Sequence, residues 1–189
     1  MNIVLIVGAS GTGKDTLLRT AGHTFAERAD VLFLQRYITR PSDANENNYF
    51  LDQSAFNVLQ ANNFFISHWQ AHGNSYGIAE NHIDQVPEDG QAVISVSRTA
   101  IADFESKYSR VFTIQIQADL ETLQQRLRNR NREDSKAIEQ RLARAGFTVP
   151  ARHLILFDNS RDLRQTAPGF IQLLESLLTN SCKPQTGDL

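Results

Sequence analysis

Short apolar runs alternate with longer amphipathic stretches along the whole chain. Residues 2–7 form a run, apolar throughout after Asn2, that ends on Gly8, the length and character of a parallel strand buried on both faces. From about Asp15, Leu17, Leu18 and Ala21 recur on one side of a helix, and residues 31–34 give a second buried strand, completing a βαβ unit. Residues 36–41 then run into a polar stretch, 42–48, with no period: a surface loop opened by Arg36 and Arg40. A small insert follows, with a helix over 54–60, a strand over 64–69, a glycine turn over 73–77 and a helix over 80–86. Residues 92–96 make a third core strand ending in Ser97-Arg98, with Thr99 placed to cap the next helix. Residues 111–116 make a fourth strand, and Asp119 takes the N-cap of a helix bearing Leu120, Leu123 and Leu127. Ser135 can cap a further helix; a strand over 153–157 and a helix over 168–178 close the domain, and the polar tail 181–189 is expected to fray. Strands alternating with helices predict a three-layer α/β domain on a parallel sheet, whose ligands sit at the carboxyl ends of the strands. Gly8, Arg36, Ser97 and Asp158 each follow a predicted strand there.

Composition adds mainly exclusions. A chain of 189 residues, 41% hydrophobic, is enough for one domain with a sizeable core. Nineteen basic against 21 acidic residues leave a net charge of −2, so no global charge draws the protein to nucleic acid or to a membrane. The one cysteine, Cys182, allows no intrachain disulfide, which fits a reducing compartment. The first apolar run is too short for a signal peptide or a membrane span, so the chain reads as soluble and cytoplasmic. Composition sets no oligomeric state.

The candidate chemistry begins where the first strand ends. Gly8-Ala9-Ser10-Gly11-Thr12-Gly13-Lys14-Asp15-Thr16 is a glycine-rich turn between a strand and a helix. Its glycines let backbone N–H groups turn inward on a phosphate chain, Lys14 reaches the terminal phosphates, and the helix end adds its positive dipole. Asp15 stands where this motif usually carries a hydroxyl that ligates Mg²⁺; a carboxylate there can hold the hydrated ion, with Thr16 offering a hydroxyl one residue later. A glycine turn that binds nothing is the bland alternative.

The arginines fall in two groups. Arg126, Arg128, Arg130 and Arg132 lie within seven residues, followed by Arg141 and Arg144. At about 100° per residue, Arg126 and Arg130 share one helix face while Arg128 points away, so no single packing surface uses them all. They have the character of a flap closing over donor phosphates, with Arg130 and Arg141 the leading candidates beside Lys14, against the alternative of a solvated basic face. Arg36, Arg40 and Arg98 suggest an anionic acceptor, because the planar guanidinium fork stays charged and donates two parallel hydrogen bonds to phosphate. The alternative pairs them with carboxylates such as Asp43 or Glu46. Tyr76, between Gly73 and Gly77, either bonds an acceptor phosphate or packs the turn, and Trp69 is a packing residue or a sugar platform. His68 and His72 lack the spacing partners of a metal site.

In this order the motifs resemble the guanylate kinase branch of the nucleoside monophosphate kinases, from Ile3 to about Leu178. Residues 8–16 are similar to that family's phosphate loop and Thr39-Arg40 to its acceptor-phosphate arginine. Phe65-Ile66 with Gly73-Asn74-Ser75-Tyr76-Gly77 resembles its acceptor lobe, and Arg126-Leu127 through Arg141-Leu142 its flap. The resemblance implies a P-loop fold with one kinase domain over 1–180, an acceptor lobe over about 36–80 and a flap over about 126–145. Where that family reads guanine with carboxylates, this chain has Ser67, Ser95 and Ser97, and Pro41-Ser42 replaces a second acceptor arginine. The altered set, Arg36-Tyr37-Ile38-Thr39-Arg40-Pro41, Ser67-His68-Trp69, Tyr76-Gly77, Ser97-Arg98 and Arg126-Leu127 with Asn129-Arg130, is similar to the ribose 1,5-bisphosphate phosphokinase family. That resemblance implies ATP and Mg²⁺ as cofactors. It implies transfer to a small-molecule acceptor in phosphonate breakdown, with Arg36, Arg40, Tyr76, Ser97 and Arg98 on the acceptor. A guanylate-type kinase and a non-catalytic binding module remain as rivals.

Overall fold

The computed structural model describes residues 1–42, 47–129 and 148–179. Five parallel strands form the main sheet: β1 (Asn2–Gly8), β2 (Val31–Leu34), β7 (Gln91–Ser95), β8 (Val111–Gln117) and β9 (Leu154–Asp158), in the order β2-β7-β1-β8-β9. β1 is central, with Leu5 aligned on Ile94 of β7 and on Thr113 of β8. Its side chains alternate between two cores, which is why the strand reads as unbroken apolar sequence after Asn2. Ile3, Leu5 and Val7 pack with Ile94, Ile101 and Phe104 on one face; Val4 and Ile6 pack with Leu17, Phe170 and Leu174 on the other. The helices α1 (Lys14–Thr24) and α6 (Leu163–Thr179) cover the second face, and α3 (Glu80–Ile83) and α4 (Ile101–Lys107) the first. Three layers result, and every core strand ends on the same side of the molecule. The helix α5 (Leu120–Asn129) follows β8, capped by Asp119, whose carboxylate accepts from Thr122 N at 2.7 Å; Leu123 is buried and Leu120 exposed.

Two polar residues inside the apolar pattern have specific partners. Asn2, which opens β1, is fully buried and its amide donates to the Leu177 carbonyl at 2.7 Å. Gln91, which opens β7, likewise reaches the Leu174 carbonyl, so both strands are fastened to α6 at the end away from the cradle.

A second sheet, β4-β3-β6-β5, is built from the insert: β3 (Tyr37–Ile38), β4 (Tyr49–Phe50), β5 (Phe65–Ala71) and β6 (Asn74–Ala79). Here the sequence expectation is corrected. Residues 74–79 are a strand, and the turn is the pair His72-Gly73, with φ of 51° and 74°, the all-positive geometry of a tight two-residue hairpin. Gly77 serves the strand instead, because a Cβ there would lie 2.6 Å from the Phe65 ring. A bulge between Phe65 and Ser67 turns those two side chains to opposite faces. Phe65 stacks on Phe56 of the helix α2 (Gln53–Ala61), while Ser67 and Trp69 face the main domain with Tyr76 and Ile78.

Two helix starts also differ from expectation. Ser97, not Thr99, accepts the capping hydrogen bond of the short 3-10 turn Arg98–Ala100. The last helix begins at Leu163, five residues early, because Asp162 caps it and Thr166 and Ala167 are drawn into the core; Pro168 falls in its second turn and forfeits one helical hydrogen bond.

Candidate active site

β1 delivers the chain into the cradle at Gly8, where a Cβ would lie 2.8 Å from the Ile116 carbonyl of the neighbouring strand. The turn is stitched from within: Thr12 donates through both N and Oγ1 to the Ala9 carbonyl, at 3.3 and 2.9 Å. Gly11 and Gly13 hold φ of 92° and 81°, a left-handed backbone that a side chain would strain. Gly13 is also the N-cap of α1 and has no side chain to cap its amides, so no cap side chain competes with an anion for the first turn. The Thr12 carbonyl points out of the turn and accepts from Asn159 Nδ2 at 2.7 Å and Arg126 Nη1 at 3.2 Å.

Lys14 lies along the carboxyl ends of β1 and β7. Its ammonium donates to Ser95 Oγ at 3.0 Å and to Asp15 Oδ1 at 2.9 Å, with its side chain 13% exposed and that of Asp15 39%. Beside this group opens a cavity of about 370 Å³ between α1, β2 and β7, lined by Asp15, Arg36, Gln35, Phe33, Val93 and Ser95 among others. Arg36 sits with its guanidinium 5.6 Å from the centre of the Tyr76 ring, and Tyr76 stacks on Trp69, with ring centres 5.5 Å apart and planes within 4° of parallel. A cation over an aromatic face of this kind is attracted by the negative face of the ring. Ser67, buried on the same sheet face, donates to Asp103 Oδ2 of α4 at 2.6 Å.

The structure therefore gathers Lys14, Asp15 and Arg126 around the cradle, and Arg36 and Tyr76 beside the adjoining cavity. Arg40 follows β3 with its carbonyl held by Asn48 Nδ2 at 3.0 Å. Arg98 is exposed on the 3-10 turn that Ser97 caps, so the Ser97 hydroxyl serves that turn, also accepting from Thr99 Oγ1. Arg130 and Arg141, with the flap from 130 to 145, lie outside the described residues, as do Asp43, Glu46 and Cys182. Two participants, Asn159 and Asp103, escape sequence reasoning, and Ser95 enters it only as a residue standing where the resembled family has an acid, not as a partner of Lys14. Ser95 is the last residue of an apolar strand, and Asn159 one polar residue after another; neither carries a motif. Asp103 lies mid-helix and meets Ser67 only through the tertiary fold.

Oxygen donors for a hydrated Mg²⁺ are present: the half-exposed Asp15 carboxylate and the Thr16 and Ser95 hydroxyls adjoin the cradle. One carboxylate plus nucleotide phosphates suits an ion that keeps much of its water. Among the described residues, no group of three or more His, Cys, Asp or Glu could form an all-protein metal cage. Nor is any described helix long and apolar enough to cross a membrane.

Comparison with known proteins agrees with this fold. A family model described as guanylate kinase matches residues 1–163. The chain is 37% identical over 175 residues to the ribose 1,5-bisphosphate phosphokinase PhnN of Desulfomicrobium baculatum, covering 91% of this chain and 93% of that protein. It is 34% identical over 178 residues to the protein of the same name from Rhizobium etli, covering 93% and 90%. Among solved structures, the guanylate kinase of Anaplasma phagocytophilum superposes with a TM-score of 0.65 at 20% identity, over 97% of this chain and 87% of that one, which is a likeness of fold. The chain belongs to the guanylate kinase family, on the branch of the ribose 1,5-bisphosphate phosphokinases.

Proposed function

We propose that this protein transfers the γ-phosphoryl group of ATP to the 1-phosphate of ribose 1,5-bisphosphate, giving 5-phosphoribosyl 1-diphosphate and ADP, in the cytoplasm and in the service of phosphonate breakdown. The observation that carries the reading is the place of Lys14: its ammonium lies 3.0 Å from Ser95 Oγ, at the junction of the phosphate cradle and the cavity lined by Arg36. One cation thus serves donor and acceptor together. The names of the curated relatives supply the acceptor's identity.

In the mechanism, an oxygen of the acceptor's 1-phosphate attacks the γ-phosphorus in line; its bond to phosphorus forms as the bond to the β-phosphate oxygen breaks, and ADP leaves with that electron pair. A sugar phosphate has a second pKa of about 6, so the attacking oxygen is ionised at neutral pH and needs no general base. The protein's work is positioning and charge neutralisation. The cradle amides and Arg126 hold the donor, Lys14 moves from Asp15 and Ser95 onto the transferring group, and Arg36, Arg40 and Arg98 hold the acceptor's phosphates. Mg²⁺ bound near Asp15 and Thr16 would supply further neutralisation of the nucleotide phosphates. Arg130 and Arg141 complete the proposed donor site.

The experiment is an assay of ADP release with ribose 1,5-bisphosphate and with GMP, and ³¹P NMR of the product. A new diphosphate resonance pair from ribose 1,5-bisphosphate, with GMP inert, is the expected result; turnover of GMP alone would sink the reading. A guanylate-type kinase is the second reading, favoured by Asp103, which brings a carboxylate to the acceptor lobe beside Ser67. A non-catalytic binding module would require ATP to leave the melting temperature unmoved.

A further inference from the structure

The Asn159 side chain is fixed on both sides. It is 3% exposed, at the first position beyond β9, and its backbone N donates to the Gln117 carbonyl at 2.8 Å. The side-chain oxygen accepts from Thr166 Oγ1 at 2.7 Å, and the nitrogen donates to the Thr12 carbonyl at 2.7 Å. A carbonyl can only accept, so the atom facing Thr12 must be the NH₂ end, and the orientation of the amide is settled by chemistry. Thr166 is itself buried on α6. A continuous path therefore runs from the core of α6, through Thr166 and Asn159, to one carbonyl of the phosphate cradle.

The consequence follows from peptide planarity. The Thr12 C=O and the Gly13 N–H belong to one trans peptide unit and point in opposite directions. Holding the carbonyl outward therefore aims the Gly13 N–H inward, toward the phosphates. The same closeness explains the glycine: a Cβ on Gly13 would stand 2.5 Å from Asn159 Nδ2.

We infer that Asn159 is a positioning residue of the donor site, setting the direction of the Gly13 N–H by gripping the other end of its peptide plane. The inference rests on the reading of the cradle as a nucleotide phosphate site. It goes further in naming the device that keeps the cradle formed before any nucleotide arrives. Arg126 donates to the same carbonyl from the solvent side, at 3.2 Å, but a longer, partly exposed side chain orients it less firmly.

Asn159→Asp is nearly isosteric and keeps an acceptor for Thr166, yet it loses the donor and turns a carboxylate onto the Thr12 carbonyl. Binding of ADP and of inorganic tripolyphosphate, a probe with no base or sugar, is measured by calorimetry. Both are expected to weaken by about the same factor, tenfold or more, as when a buried hydrogen-bond acceptor is orphaned. The KM for the acceptor should stay within about twofold while the KM for ATP rises. Thr166→Val, which loosens the amide without adding charge, should shift both probes in the same direction by less, and Thr166→Ser should restore them. Unchanged tripolyphosphate affinity in a folded Asn159→Asp protein, or in Thr166→Val should that variant alone fold, would overturn the inference, as would a fall in melting temperature with both probes binding normally. If the wild-type protein itself binds neither probe, the nucleotide-site reading fails first, and that result is distinct.

Discussion

Lys14→Met is the change that most directly separates fold from chemistry. Methionine keeps an unbranched apolar stem in a position where the side chain is 13% exposed, so packing along β1 and β7 is largely preserved. What disappears is the ammonium, with its contacts to Asp15 at 2.9 Å and Ser95 at 3.0 Å. The ion pair, whose carboxylate is 39% exposed and can rehydrate, contributes about 0.2–1 kcal/mol, and the hydrogen bond to Ser95 about 1 kcal/mol net. A total near 1–2 kcal/mol corresponds to roughly 2–8 °C in melting temperature for a domain of this size. The effect on turnover is of another order. Removing a preorganised donor aimed at the developing charge costs about 10²–10³ in kcat. Steady-state ADP release at saturating ATP and acceptor, with thermal melting of the same samples, reads both quantities. A loss of less than tenfold in kcat would refute the assignment of Lys14 to the transferring phosphoryl group. So would a collapse of the fold large enough to account for the lost activity.

Gly13→Ala meets two obstacles, a φ of 81° and a contact of 2.5 Å to Asn159 Nδ2, and is expected to cost about 2 kcal/mol or more in urea unfolding and to abolish the nucleotide-induced melting shift. Arg36→Met should raise the acceptor KM by at least about tenfold, with the ATP KM within about twofold; equal changes in both would show that Arg36 acts on the fold. Asp119 supplies a pH signature: its hydrogen bonds from Thr122 hold its carboxyl below the ordinary range near 3.9, so its capping of α5 is complete above that value and is lost as the pH falls through the lower folded-state value. Asp119→Asn, which caps without titrating, should therefore flatten the acid limb of the melting profile below about pH 4, and an unchanged limb would count against the cap.

The main sheet was legible because its strands are short, nearly all apolar and separated by helices with a 3.6-residue repeat. The cradle was legible because its chemistry needs consecutive residues. The second sheet was not: β3 and β4 have two residues each, too few for any alternation, and lie in a stretch whose polar composition argues for a loop. The start of α6 was hidden by Pro168, which reads as a first-turn residue until the burial of Thr166 and Ala167 is seen to override it. Arg36 could be found from sequence because arginine beside a strand end is itself a signal. The hold of Asn159 on the cradle and of Ser95 on Lys14 could not, since these contacts join residues 147 and 81 positions apart.

That separation of 147 residues between the cradle and its brace also bears on biosynthesis. The phosphate-binding turn leaves the ribosome well before Asn159 and the helix that anchors it. At about 5–20 residues per second, the turn waits roughly 7–30 s for the group that fixes its shape. Stalled nascent chains ending before β9 are thus expected to carry the whole motif yet retain no nucleotide, acquiring that capacity in one step when α6 emerges.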